Sequence, residues 1–98
     1  MKLVTFNYNW AYEIDFEGFA LLNEQKCKNL ENAIDKYFKN NATVNLYFGS
    51  NEDGEFTKDD ILNGMIISDI TDTEYNTLYN LFGNKFGYIL EEDNFEVN

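Results

Sequence analysis

The sequence contains no histidine, no arginine and no proline. It has one cysteine, Cys27, and serine only at Ser50 and Ser68. Without histidine the chain lacks the commonest general base near neutral pH and the usual metal ligand. Without arginine it has no planar fork to clamp a phosphate or a carboxylate. A single cysteine cannot close an internal disulfide, which suits a reducing compartment. Positive charge is scarce too: seven lysines face eighteen acids, for a net charge of -11. Such a chain repels nucleic acid and anionic lipid, so direct binding to either is not expected. No run is apolar enough to span a bilayer. The opening MKLVTFNYNW alternates polar and apolar residues where a signal peptide would carry a continuous apolar core. The simplest expectation is a soluble cytoplasmic protein.

The 98 residues suffice for one domain with one core. Nine phenylalanines, seven tyrosines and a tryptophan supply much of that core, each ring burying roughly 150–250 Å². The charge is uneven. Residues 1–49 hold six acids and five lysines, a net of -1, whereas residues 50–98 hold twelve acids and two lysines, a net of -10. If the second half clusters in space, the protein has a strongly negative face.

Periodicity gives the elements. Lys2 to Phe16 reads as two strands: Val4, Phe6, Tyr8 and Trp10 share one face, and Tyr12, Ile14 and Phe16 alternate with Glu13, Asp15 and Glu17. A hairpin with its turn near Asn9-Trp10 fits both runs. Gly18 marks a bulge or a bend, with Phe19 to Leu22 continuing the strand. A helix follows, with the stripe Cys27, Leu30, Ile34, Tyr37 and Phe38. Asn23 is its candidate N-cap, with Asn29 a later candidate start, and Asn40-Asn41 is its end. Thr43 to Phe48 is a third strand. After an acidic loop, Thr57 caps a short helix with Asp60 at its third position, Phe56 and Ile61 as staple, and Gly64 as its stop. Met65 to Ile70 reads as a buried strand. Thr71 and Glu74 form a capping box for a last helix, whose stripe is Tyr75, Leu78, Tyr79 and Phe82, with Gly83 at its end. Its tyrosines are expected in the core, hydroxyls at the rim. Lys85 to Leu90 is a final strand.

The expected fold is α+β: one domain over residues 1–90, with a mixed or mainly antiparallel sheet of about five strands. Two longer helices and one short helix lie mostly on one face, in the order β-β-α-β-α-β-α-β. Residues 91–98 form an acidic, partly mobile tail anchored by Phe95.

Four groups invite a chemical reading. The stretch Gly49–Asp60 places Asn51, Asp53, Gly54 and Asp60 at the third, fifth, sixth and twelfth positions of an EF-hand loop. Its first position is Gly49, which offers no side-chain oxygen, and its twelfth is Asp where a bidentate Glu belongs. A solvated acidic turn is the better reading, and no metal or other cofactor is expected. Glu13, Asp15 and Glu17 would stand on one strand face at intervals of about 6.8 Å, a spacing like that of a phosphate row but also an ordinary polar outer face. No two acids stand out as a general acid/base pair, so no enzyme activity is expected. Cys27 lies on an apolar stripe and reads as a structural thiol.

What remains is binding. The candidate partner face comprises Glu52, Asp53, Glu55, Asp59, Asp60, Asp69, Asp72, Glu74, Glu91, Glu92 and Asp93, with Glu13, Asp15, Glu17 and Trp10 as secondary candidates. Such a face would occupy the basic groove of a nuclease or other nucleic-acid-binding enzyme by mimicking backbone charge. In size, acidity and want of catalytic residues the chain resembles, in type, small phage or plasmid anti-restriction and anti-CRISPR proteins. That resemblance rests on no shared motif and carries over no residues; it implies a competitive inhibitor of a basic enzyme. The alternative is a small protein-binding module, such as an immunity or regulatory subunit, anchored by aromatics such as Trp10 or Phe95 within a polar rim. A third reading is that the acidity only confers solubility.

Overall fold

Alternating apolar residues build the centre of the molecule. In the computed structural model, which describes residues 1–10, 14–47 and 53–96, strand β1 (Lys2–Trp10) pairs antiparallel with β2 (Ile14–Leu22). The register runs from Lys2 opposite Leu22 to Trp10 opposite Ile14. Asn9 and Trp10, expected near the turn, are instead paired strand residues, because the alternation that starts at Val4 runs unbroken to Trp10 and the ladder follows it.

Gly18 is not a bulge, since the β1–β2 register runs through it unbroken. It sits where another backbone lies against the strand: a Cβ there would stand 2.1 Å from the Tyr88 carbonyl oxygen. The partner is β6 (Lys85–Gly87), in which Gly87 faces Gly18 at a φ of 73°. Glycine at both positions lets the two backbones meet.

Helix α1 (Glu24–Phe38) starts on the expected Asn23, but it ends before Asn40-Asn41, with Lys39 in the right-handed region as its C-cap. The Asn23 side chain accepts from the Lys26 N–H, and the Asn41 side-chain amide donates to the Tyr37 carbonyl. Cys27, Leu30 and Ile34 are buried along its inner stripe. β3 (Thr43–Tyr47) pairs antiparallel with β4 (Asp53–Thr57) as a separate two-stranded sheet. Half of the expected acidic loop is thus a strand, because Val44, Leu46 and Phe56 bury one side of the pair. Asp53 and Gly54 of the EF-hand register lie in that strand, and Gly49 and Asn51 lie outside the described residues. Helix α2 (Lys58–Gly64) has the expected capping box, with Thr57 and Asp60 satisfying each other's backbone N–H.

β5 (Met65–Asp69) joins the other side of β1, giving a four-stranded antiparallel sheet in the order β5-β1-β2-β6. It is an edge strand, not the buried one expected: only Met65 is buried. Helix α3 (Asp72–Phe82) then spans the sheet from the β5 edge to the β6 edge, with the Thr71–Glu74 capping box at its start and Gly83, φ 78°, at its end. β6 ends at Gly87, not Leu90, and a 3-10 turn over Glu92–Phe95 closes the described chain. Phe95 is buried against Tyr37 and Phe38, at ring separations of 5.9 and 6.2 Å.

Strand parity sorts the sheet into two faces. Val4, Phe6, Ala20, Leu22, Met65 and Ile67 point inward, where α1, α2, the β3–β4 pair and Leu90 complete one core. Leu3, Thr5, Phe19, Leu21 and Ile66 point to the opposite, outer face, and α3 packs there, with Phe82 meeting Phe19 edge to face at 5.7 Å. The helices therefore lie on both faces.

Candidate functional site

The outer face departs most from what periodicity predicts. α3 carries the expected stripe of Tyr75, Leu78, Tyr79 and Phe82, yet none of its residues is buried. Its tyrosines are not core residues. In the sheet row of Leu3 and Leu21, Leu21 is only 5% exposed. The next row, which the registers set as Ile66, Thr5, Phe19 and Phe86, is only partly covered. Ile66 is 61% exposed, Phe86 55% and Phe82 47%.

Phe19, Phe82 and Phe86 form one ring cluster at the β6 end of that row. Phe86 lies 5.9 Å from Phe19 and 5.3 Å from Phe82, centroid to centroid. Tyr75 and Tyr79 stack at 5.9 Å along α3, and Leu81 at 67% and Tyr79 at 49% are exposed on the same helix. Large apolar side chains in such numbers on one face mark an interaction surface more often than scattered exposure does.

Acids border this face. Glu17 is exposed on β2 two residues from Phe19, hence on the same side of the sheet. Asp72 and Glu74 occupy the first turn of α3, whereas Asp69, two residues beyond Ile67, stands on the inner side of β5. Asp69 pairs with Lys2, whose ammonium holds its carboxyl below the usual range. Backbone and hydroxyl hydrogen bonds from Thr71 do the same for Glu74. From residue 59 to residue 84 the chain holds five acids and no lysine.

The remaining acids do not join them in one continuous face. Glu55 is exposed on β4, where its carboxylate accepts from the Thr43 hydroxyl, and Asp59 and Asp60 lie in the first turn of α2. Glu91, Glu92 and Asp93 belong to the closing 3-10 segment, with Glu91 paired to Lys85. β5 and β6 are opposite edges of the sheet, so Asp69 and the Glu91–Asp93 group flank it on different sides. The reason is topological: α3 carries the chain across the whole sheet between them. Glu13 and Glu52 lie outside the described residues. Asp15, Trp10 and Asp53 are placed by backbone pairing alone, opposite Asn9, Ile14 and Tyr47. Phe95 is 2% exposed and cannot anchor a partner.

The described side chains offer little chemistry. Cys27 is buried, and burial together with the neighbouring Glu31 carboxylate pushes its thiol up, away from the nucleophilic thiolate. Among the described residues no group of three or more histidine, cysteine or acidic side chains is placed to hold a metal ion. No described helix is long and apolar enough to cross a membrane.

Sequence reasoning missed Phe19, Ile66, Leu81 and Phe86. A signal was present in the run Phe19-Ala20-Leu21-Leu22. A strand apolar at four consecutive positions is apolar on both faces, so its second face also calls for cover. Comparison with family models, with curated proteins and with solved structures finds no match.

Proposed function

We propose that this chain is a non-catalytic binding protein that engages a basic protein partner through the outer face of α3 and β6. The observation that carries this reading is the exposed apolar group of Leu81, Phe82 and Phe86 at the β6 end of that face, with Glu17 on the same side of the sheet and Asp72 and Glu74 in the first turn of α3. An apolar centre within a charged border is the anatomy of a protein interface. The rings supply anchors with few rotamers to freeze, and the acids steer and orient a positively charged partner. Charge complementarity selects the partner: a protein of net charge -11 is attracted to a basic surface and repelled by an acidic one.

Nucleic-acid mimicry is the second reading. Its support is the exposure of Asp59, Asp72, Glu92 and Asp93, which enter no ion pair among the described residues. A phosphate mimic needs a continuous carboxylate surface, and it has no use for exposed phenylalanines.

The protein, immobilised, is used to capture partners from cell lysate, which are eluted in a salt gradient. The interface reading expects a basic protein that survives moderate salt and is lost when Leu81→Ser and Phe86→Ser are combined. A partner that leaves at low salt, competes with added DNA or RNA, and ignores that double variant would transfer the assignment to mimicry.

A further inference from the structure

Among the described residues the outer edge of β5 is open, and its backbone polarity can be read from the ladder. The Ile70 N–H donates to the Met1 carbonyl, its direct opposite when the β1–β5 register is extended by one pair. Hydrogen-bonded pairs alternate along an antiparallel ladder, so Ser68 and Ile66 also bond to β1. The N–H and C=O groups of Ile67 and Asp69 then point away from the sheet. The far side of the sheet agrees: the Leu21 and Tyr88 amides bond across the β2–β6 junction, to Asn84 and Glu17. That sets Leu21 toward β6 and its opposite, Leu3, toward β5.

Natural edges are blunted by lysine, proline, a bulge or a covering element. The sequence of β5, Met-Ile-Ile-Ser-Asp, has no lysine or proline. Among the described residues no strand pairs with its outer side. Both faces beside the edge are apolar. Ile66 stands exposed on the outer face, and Leu62 of α2 is exposed on the inner side. There Leu62, Met65 and Ile67 line a recess of about 200 Å³ with Ile34, Glu31 and Asp35.

We infer that β5 is a strand-addition site that accepts an extended, basic segment of the partner protein. The inference rests on the proposed function and specifies how the partner docks. An added strand would take the free bonds of Ile67 and Asp69 and present alternate side chains to Ile66 on one face and to the Leu62 recess on the other. Charge fixes the occupant as basic. Glu31 lines the recess, Asp35 and Asp69 beside it pair with Lys58 and Lys2, and two copies of this chain would bring a charge of -11 against -11.

The probe is a capped heptapeptide alternating lysine and valine, titrated to millimolar concentration against the 15N-labelled protein. The expected result is saturable shifts at the Ile67 and Asp69 amides. They should fall at least tenfold when the peptide is N-methylated at alternate residues, and vanish with a glutamate–valine peptide. Ile67→Pro blocks one outward N–H without removing a bond to β1. Because Ile67 also packs against the core, Ile66→Lys provides a second variant at an exposed position, and both should abolish the shifts.

Unshifted β5 amides, equal binding by the N-methylated peptide, or a sedimenting dimer that Ile66→Lys dissolves would each overturn the inference. The last would make a second copy the occupant. If Ile66→Lys retains the captured partner while Leu81→Ser with Phe86→Ser loses it, the edge inference fails and the proposed function stands.

Discussion

Truncating α3 side by side with the core measures how much of the helix is surface. Leu81 is 67% exposed, so about a third of its side chain is covered. Full burial of a leucine contributes about 1.5–3 kcal/mol, so Leu81→Ala should cost about 0.5–1 kcal/mol. Phe82 is 47% exposed and meets Phe19 edge to face. Half of a phenylalanine's burial plus a ring pair gives about 2 kcal/mol for Phe82→Ala. Ile61 is fully buried in the core, and Ile61→Ala should cost about 2–5 kcal/mol because the cavity adds to the lost burial. In a domain of this size 1 kcal/mol moves the melting temperature by about 4–8 °C, so the Leu81 and Ile61 variants should be clearly resolved, with the Phe82 variant between them. Urea unfolding with a common slope would convert the midpoints to free energies. If Leu81→Ala costs as much as Ile61→Ala, the outer side of α3 is core, and no apolar face is free for a partner.

Gly18→Ala should destabilise by about 1–3 kcal/mol and strip hydrogen-exchange protection from the Tyr88 amide, because the new methyl meets the β6 backbone. Gly83→Ala meets nothing within 4 Å, so its cost should be limited to the left-handed backbone, about 1–2 kcal/mol. Glu74 has a folded pKa below its ordinary value, so the unfolded chain takes up its proton first as pH falls. The stability it contributes is present above the unfolded carboxylate range and is lost as pH falls through the folded pKa. Glu74→Gln should therefore flatten the acid limb of the stability–pH curve, read from melts between pH 2 and pH 7. The Cys27 thiol should react with a disulfide reagent far more slowly in the native protein than in urea; matching rates would mean that it is accessible.

Much of the fold is legible in local chemistry. Asn23, the Thr57–Asp60 box, the Thr71–Glu74 box and Gly83 each mark a helix boundary, since a cap is decided by side chains within four residues. The stripe of α1 is legible because its apolar period meets one core. Non-local facts are less so. A stripe on α3 says that one side of the helix is apolar, but how far it is covered depends on where the helix crosses the sheet. The period of β5 cannot show that it lies at an edge. The sequence of β4 reads as loop because Asp53, Gly54 and Glu55 have poor strand propensity, while its pairing with β3 and the burial of Phe56 override that preference. The acids behave likewise: their number is plain in the sequence, but their division between two edges of a sheet is set by the topology.

The central claim is that the outer face of α3 and β6 holds a basic protein. Its most direct test is the affinity of the captured partner for three forms of the protein, measured at 50 and 300 mM salt. These are the wild type, Leu81→Ser with Phe86→Ser, and the amide replacement of Glu55, Asp59 and Asp60. The account predicts that the apolar double variant loses at least tenfold in affinity at both salt concentrations, while the amide form stays within about threefold of wild type. Full affinity in the double variant, with binding abolished in the amide form, would contradict it.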